Sequence, residues 1–194
     1  MSQNALPLDI VIMAAGKGTR MKSRHPKVLQ KLAGRALLQH VLDTAAQLKA
    51  RSAVVVTGHG ATEVEAAIAA ANSAEGSLEL KFVRQEPQLG TGHAVQQAVP
   101  ALKDDGVVVV LSGDVPLTTA ETLQGLLDAA GKGKMALLTV TMPDPSGYGR
   151  IVRNEAGTVQ RIVEQKDAND AERAITEIYS GIMAVPAKHL TKWL

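Results

Sequence analysis

Residues 8–20 of the chain read LDIVIMAAGKGTR and join a short, β-branched apolar run to a glycine-rich turn. Such an apolar run is typical of a strand that is buried on both faces of a sheet. Glycine in the turn lets backbone N–H groups approach an anion without interference from a Cβ atom. This stretch therefore predicts a first strand that ends at a phosphate-binding turn.

Further apolar runs follow, and helix-length segments with apolar residues at spacings of three and four separate them. The runs are 53–57, 80–83, 107–111 and 135–141, and the helical segments are 36–48, 61–71, 93–102 and 120–130. This alternation predicts an α/β protein with a Rossmann-like, mixed but mainly parallel sheet and helices on both faces. Later runs at 150–153, 159–163 and 175–185 predict added antiparallel strands. We expect the site at the carboxyl ends of the parallel strands.

Composition limits the class of protein. The chain has 194 residues, of which 45% are hydrophobic, and this predicts one globular domain over residues 1–194. A net charge of +2 and only 2% aromatic residues argue against nucleic acid as a partner. The sequence has no cysteine, and no apolar run reaches the roughly 20 residues of a membrane span. We therefore expect a cytoplasmic protein that binds neither nucleic acid nor membrane.

Two familiar phosphate motifs do not fit the first turn. Gly16 and Gly18 lack the third glycine of a Rossmann fingerprint, and Lys17 precedes the second glycine, where a P-loop would have its lysine after it. Several cations follow before a helix expected near residue 35, and they suit a triphosphate: Lys17, Arg20, Lys22, Arg24, His25 and Lys27. Solvated loop charges beside a tight turn are the plain alternative.

Two later segments also carry polar side chains at strand ends. Residues 85–94, QEPQLGTGHA, begin with Gln85, whose amide has two donor hydrogens and an acceptor that can read a pyrimidine edge. Residues 111–117, LSGDVPL, place Asp114 at the sheet edge, where one carboxylate can bind Mg²⁺ together with waters and phosphates. A helix-opening turn and an aspartate in a turn or N-cap are the plain alternatives. His93 fits a helix-start or packing residue better than a catalyst.

The order of these segments resembles the nucleotide-diphospho-sugar pyrophosphorylases, whose fold is the nucleotide-diphospho-sugar transferase fold. The resemblance runs over essentially the whole chain, from the first strand to Gly181, and residues 85–94 resemble most closely the N-acetylglucosamine-1-phosphate uridylyltransferases. It implies Mg²⁺-dependent transfer of UMP from UTP to N-acetylglucosamine-1-phosphate. The products would be pyrophosphate and UDP-N-acetylglucosamine, a precursor of peptidoglycan and lipopolysaccharide.

The resemblance also implies roles for particular residues. Arg20 and Lys27 would be catalytic, because they would offset charge at the α-phosphorus, and Asp114 would bind Mg²⁺. Substrate contacts are implied for Met13, Ala14, Ala15, Gly16, Lys17, Gln85, Gly90, Thr91, Ser112, Gly113, Gly149, Glu164 and Tyr179. Tyr179 stands where the best-known members carry asparagine, and a phenol lacks the paired donor and acceptor of an amide.

In the family, the nucleotidyltransferase domain continues past Leu194, and an asparagine there is the second protein ligand of Mg²⁺. The domain over residues 1–194 is therefore expected to be incomplete at its C-terminal end. Bifunctional members continue into a β-helix acetyltransferase domain that forms a homotrimer, and this domain is expected to be absent here. Three alternatives stay open: a cytidylyltransferase of isoprenoid synthesis, a regulatory nucleotide-binding module without turnover, and a dehydrogenase.

Overall fold

The computed structural model describes residues 6–18, 21, 23, 25–72, 78–131 and 133–194. These residues form two compact units. The first contains the described residues up to Ala136 together with Met183–Leu194, and the second contains Leu137–Ile182. Within the described ranges, no helix has the length and apolar character needed to cross a membrane.

Strands and helices alternate through the first two thirds of the chain. The strands are β1 (Leu8–Met13), β2 (Lys31–Leu32), β3 (Arg35–Ala36), β4 (Ser52–Thr57), β5 (Glu79–Arg84), β6 (Val107–Ser112), β7 (Ala136–Thr141), β8 (Arg150–Arg153), β9 (Val159–Val163) and β10 (Glu177–Pro186). The α-helices are α1 (Leu37–Gln47), α2 (Ala61–Ala71), α3 (Thr91–Ala98), α4 (Ala120–Ala130), α5 (Asp170–Arg173) and α6 (Ala187–Trp193).

The main sheet of the first unit has the strand order β5-β4-β1-β6, followed by the end of β10. The first four strands are parallel, and Met183–Pro186 of β10 runs antiparallel to β6. Met13 at the end of β1 is level with Val56 of β4 and Ser112 of β6. The predicted mixed, mainly parallel sheet is therefore confirmed, and the carboxyl ends of its strands meet at one edge.

Helices cover both faces of this sheet because its strands are apolar on both sides. Val11 and Val108 pack in one buried cluster with residues of α3 and α6. Leu111, which alternates to the opposite face, lies with Val41 of α1 and Leu123 of α4. The expected arrangement of helices on both faces is confirmed.

Three elements differ from the expectation. The segment before α1 is not a plain loop, because it contains a 3₁₀ turn at Lys27–Leu29 and the β2–β3 hairpin. Helix α3 ends at Ala98, four residues early, and a 3₁₀ turn follows in which Pro100 has no N–H to continue the helix. The run at 135–141 was grouped with the strands of the main sheet, but β7 lies off the main strand order and pairs with β10.

The second unit contains the antiparallel strands that the sequence predicts. Strands β8 and β9 form an antiparallel pair in which Ile151 is opposite Ile162. Strand β10 runs antiparallel to β8, with Ile178 opposite Arg150. The short helix α5 has a capping box in which the side chains of Asn169 and Glu172 each bond the backbone N–H of the other.

A buried polar network lies at the amino ends of the parallel strands. The side chain of Asp9 is 1% exposed and accepts hydrogen bonds from Arg51 Nε at 3.0 Å, Arg51 Nη2 at 2.5 Å and Ser52 Oγ at 2.8 Å. Burial alone would raise the pKa of Asp9, but these bonds and the charge of Arg51 outweigh it and lower the pKa. The charged carboxylate therefore stabilises the folded chain.

Replacing Arg51 with methionine is expected to lower the free energy of unfolding by about 3 kcal/mol at neutral pH, because it leaves a buried charge unpaired. The stabilisation exists above the ordinary pKa of 3.8 and disappears as the pH falls through the lower folded value. Urea unfolding at neutral pH and below pH 3.8 measures both effects. The control is Asp105→Asn, which removes an exposed partner of Arg51 and should cost less than about 1 kcal/mol. An equal loss of unfolding free energy in the two variants would contradict the conclusion that the buried Asp9 carboxylate depends on Arg51.

Candidate active site

A cavity of about 430 Å³ opens at the carboxyl ends of the parallel strands, within the first unit. Its lining includes ten of the predicted catalytic, substrate-binding and metal-binding residues: Met13, Ala14, Ala15, Gly16, Lys27, Gln85, Gly90, Thr91, Ser112 and Asp114. Gly18, Val28, Gln88 and Ala94 complete the lining. Segments that lie up to 101 positions apart in the sequence, from Met13 to Asp114, thus meet around one space.

The backbone after β1 is held in place by its neighbours. Ala14 N donates to Val56 O at 2.8 Å, and Ala15 O accepts from the Gln88 amide at 2.7 Å. A Cβ atom on Gly58 would lie 2.9 Å from the Ala15 side chain, so the chain approaches here because Gly58 has none. Gln88 was not singled out from the sequence, yet it ties the segment after β5 to the first turn.

Gly18 allows Lys27 to reach the cavity. It has φ of +57°, and a Cβ atom there would lie 2.8 Å from Lys27 Cβ, so a larger residue would be both strained and overlapping. The 3₁₀ turn at Lys27–Leu29 carries the lysine into the lining, where its ammonium forms an ion pair with Asp114. The structure thus brings together a predicted cation and the predicted metal ligand.

Asp114 follows directly from β6 and is partly buried. Its Oδ1 accepts a hydrogen bond from Ser112 Oγ at 2.6 Å, and its Oδ2 pairs with Lys27. Burial would raise the pKa of Asp114, but the hydrogen bonds from Lys27 and Ser112 and the charge of Lys27 lower it overall. The carboxylate is therefore ionised at neutral pH and is a suitable ligand for a hard cation.

Asp114 has few acidic neighbours. No group of three or more His, Cys, Asp or Glu residues that could hold a metal ion occurs in the described part of the chain. A single carboxylate suits Mg²⁺, which keeps several waters and completes its shell with substrate phosphates. The residues present fit such a cation.

Gln85 lines the cavity and is 5% exposed. Its backbone N–H donates to Thr57 O at 2.8 Å, and its Nε2 donates to Gly90 O at 2.8 Å and lies 3.2 Å from His93 Nδ1. Both amide hydrogens therefore have partners within the protein. From the sequence, the Gln85 amide could either donate to a ligand or accept from it. In the structure its nitrogen is occupied by Gly90 O and His93, so its oxygen is the atom available to a ligand.

Two predicted residues of the first unit lie outside this lining, and a third lies outside the described residues. Lys17 is exposed and does not line the cavity. Gly113 is buried behind it, with its N–H donating to Met13 O at 2.9 Å. Arg20 lies outside the described residues. Substrate contacts at Lys17 and Gly113, and catalysis by Arg20, remain predictions.

Three of the predicted substrate contacts, which the resemblance assigns to the sugar, lie near one another in the second unit: Gly149, Glu164 and Tyr179. Tyr179 N donates to Gly149 O at 2.9 Å. A Cβ atom on Gly149 would lie 3.0 Å from Ile162 Cγ2 and 3.4 Å from Glu164 Oε1, so Glu164 lies beside this glycine. Burial raises the pKa of Tyr179 to about 12, and its hydroxyl is therefore neutral in any ordinary buffer. Their roles in binding sugar remain predictions.

Arg150 is a residue that sequence reasoning missed. It is 1% exposed, and its guanidinium donates to the Tyr148 carbonyl and, at 2.6 Å, to Gln165 Oε1. It therefore fixes the turn that contains Gly149. The alternating pattern of β8 gives no sign that an arginine faces inward, so the signal was not in the sequence.

The fold and the cavity together define the class of the protein. It is an α/β protein with its site at the carboxyl ends of parallel strands, where such sheets hold nucleotides. The family model of the MobA-like NTP transferase domain matches residues 10–178 of the chain. The chain therefore belongs to this family.

Curated relatives agree with this membership. The chain is 74% identical over 187 residues to the "Bifunctional protein GlmU" of Acidovorax sp. (strain JS42), an alignment that covers 96% of the chain and 39% of the relative. It is 68% identical over 187 residues to the protein of the same name from Albidiferax ferrireducens. This alignment covers 96% of the chain and 40% of the relative. The chain thus spans about two fifths of the length of these relatives.

Solved structures agree on the fold. One is a UDP-glucose pyrophosphorylase complexed with UDP-glucose, which matches with a TM-score of 0.78 at 18% sequence identity. The match covers 95% of this chain and 78% of the other. At this identity the likeness supports the fold alone.

Proposed function

We propose that the chain transfers UMP from UTP to N-acetylglucosamine-1-phosphate and releases pyrophosphate. One observation carries the proposal: Gln85, Lys27 and Asp114 line a single cavity beside the Ala14–Ala15 backbone. A base reader, a cation and a metal ligand are the three kinds of group that a nucleoside triphosphate needs. Membership of an NTP transferase family supports the same reaction.

In the proposed reaction, an anionic oxygen of the sugar phosphate attacks the α-phosphorus of UTP. A P–O bond forms there as the bond to the pyrophosphate oxygen breaks, and pyrophosphate leaves with the electron pair. The attacking oxygen is already ionised, so no protein nucleophile or base is required. Catalysis then consists of holding the two phosphates in line and offsetting charge.

The residues of the cavity suit this task. The Lys27 ammonium and the Arg20 guanidinium would offset charge at the α-phosphoryl group and the leaving pyrophosphate. Asp114, with Ser112 donating to its Oδ1, would hold Mg²⁺. When bound, Mg²⁺ supplies Lewis-acid polarisation of phosphate oxygens. We propose that the Gly16 backbone and Lys17 contact the triphosphate and that Gly149, Glu164 and Tyr179 contact the sugar.

A pyrophosphate-release assay with a panel of nucleotides and sugar phosphates tests the proposal. We expect UTP with N-acetylglucosamine-1-phosphate and Mg²⁺ to give the highest kcat/KM, by at least about tenfold over CTP. A preference for CTP with a sugar-alcohol phosphate would instead indicate a cytidylyltransferase. Nucleotide binding without any pyrophosphate release would indicate a regulatory module.

Three wider proposals rest on the resemblance and on the longer curated relatives. The reaction would supply cell-wall precursors in the cytoplasm. A further Mg²⁺ ligand, an asparagine, would lie beyond residue 194. Acetylation of glucosamine-1-phosphate and assembly into a homotrimer would belong to a β-helix domain outside these residues. Sedimentation and acetyl-transfer assays on the longest form of the protein would test the last of these.

A further inference from the structure

Two neighbours lie beside the nitrogen of the Gln85 amide, and the first is a backbone carbonyl that favours one orientation of the amide. Gly90 O lies 2.8 Å from the end of the Gln85 side chain, and a carbonyl oxygen can only accept. The orientation with the Gln85 nitrogen facing Gly90 is therefore favoured. Among the described residues none donates to Gln85 Oε1, which leaves this oxygen for a ligand in the cavity.

His93 takes the second hydrogen of the same amide. Its Nδ1 lies 3.2 Å from Gln85 Nε2, so Nδ1 must be the unprotonated ring nitrogen that accepts. The ring hydrogen then sits on Nε2, 3.1 Å from the end of the Gln97 side chain one helical turn further along α3. In the structure Gln97 Nε2 also lies 3.3 Å from His93 O, and turning the Gln97 amide gives up this longer contact so that its oxygen accepts the ring hydrogen.

The two orientations of the Gln85 amide distinguish two pyrimidines. Uracil carries a hydrogen on N3 and needs an acceptor opposite it, whereas N3 of cytosine is itself an acceptor. An amide whose oxygen faces the cavity therefore favours uracil, and an amide whose nitrogen faces the cavity would favour cytosine. A group that fixes the amide therefore fixes the choice of nucleotide.

We propose that His93 is a positioning residue for nucleotide selectivity, because it accepts the second Gln85 hydrogen and so holds the amide oxygen towards the base. This inference rests on the proposed function, since it takes the ligand to be a pyrimidine nucleotide. His93 acts through Gln85. Its first contact in the cavity is the amide, and it is not one of the lining residues.

The test compares two substitutions of His93. His93→Leu removes the acceptor, whereas His93→Asn keeps an oxygen close to the position of Nδ1. Equilibrium dissociation constants for UTP and CTP are measured by calorimetry, and kcat and KM are measured by pyrophosphate release. A matched control is His189→Leu, which replaces a histidine of α6 that stacks on Trp193 away from the cavity lining.

We expect His93→Leu to lower the UTP-to-CTP affinity ratio about fivefold, the loss that one hydrogen bond produces. The change should appear in KM for UTP more than in kcat. His93→Asn and His189→Leu should keep the ratio within about twofold of the unmodified chain. An unchanged ratio in His93→Leu, or an equal loss in His93→Asn, would overturn the inference.

Binding and turnover separate this inference from the proposed function. If the chain binds UTP in preference to CTP but releases no pyrophosphate, the transferase proposal fails. The UTP-to-CTP affinity ratio of the His93 variants still tests the inference in that case. If the chain turns over UTP normally and the UTP-to-CTP affinity ratio is the same in His93→Leu, only the inference fails. Absence of any preference between UTP and CTP in the unmodified chain would overturn the inference directly.

Discussion

Asp114→Asn is expected to lower pyrophosphate release at least about a hundredfold at any Mg²⁺ concentration, equivalent to about 2.7 kcal/mol of transition-state stabilisation. Asparagine keeps the size of the side chain and one acceptor oxygen, but it removes the negative charge that a hard cation requires. Ser112 donates to Asp114 Oδ1 and orients the carboxylate, so the loss should come from the charge.

The fold should survive this substitution. The ion pair between Asp114 and Lys27 is partly exposed, with 26% and 36% of the two side chains accessible, so its loss should cost less than about 1 kcal/mol. Circular dichroism and urea unfolding check this point. Asp105→Asn, at the opposite end of β6, should leave the Mg²⁺ dependence of turnover unchanged. Near-normal activity in Asp114→Asn would remove Asp114 from the metal site.

Lys27→Met is expected to lower kcat at least about tenfold, with a smaller effect on KM for UTP. Methionine keeps an aliphatic side chain in the close contact with Gly18 and removes only the charge. An ammonium that stabilises the departing pyrophosphate acts mainly in the transition state, so its removal should appear in kcat. Steady-state pyrophosphate release over a range of UTP concentrations measures both constants.

Lys31→Met is the matched control, because Lys31 is exposed on β2 and does not line the cavity. It should retain kcat within about twofold. Removing Lys27 also frees Asp114 of its partner, so metal binding should not weaken. A Lys27→Met enzyme whose KM rises while kcat is unchanged would make Lys27 a ground-state binding residue instead.

Much of the fold could be predicted because it depends on local pattern. The β-branched run at 107–110 is typical of a strand that is buried on both faces of a mainly parallel sheet, and the helical spacing of 61–71 predicted α2 to the residue. The pairing of β7 with β10 could not be predicted, because an apolar strand carries no mark of its partner. The end of α3 could have been predicted from Pro100.

The candidate site could be predicted as a set of residues but not as a set of hydrogen bonds. The motif order brought Gln85 and Asp114 to one edge, as parallel strands require. The bond from Gln88 to Ala15 joins residues 73 positions apart, and no local pattern encodes it. The partners of the Gln85 nitrogen likewise depend on where Gly90 O and His93 lie in space. Only the structure therefore shows that no described residue donates to the amide oxygen.

The network of Asp9, Arg51 and Ser52 means that the two ends of the first strand have different roles. β1 carries Asp9 at its second position and Met13 at its last, so its start takes part in the buried network and its end lines the cavity. Loops at the carboxyl edge can then change sequence, and substrate with it, while the amino edge keeps the strands together. A designer who wishes to alter the nucleotide accepted by this fold should vary the cavity edge and leave Arg51 in place.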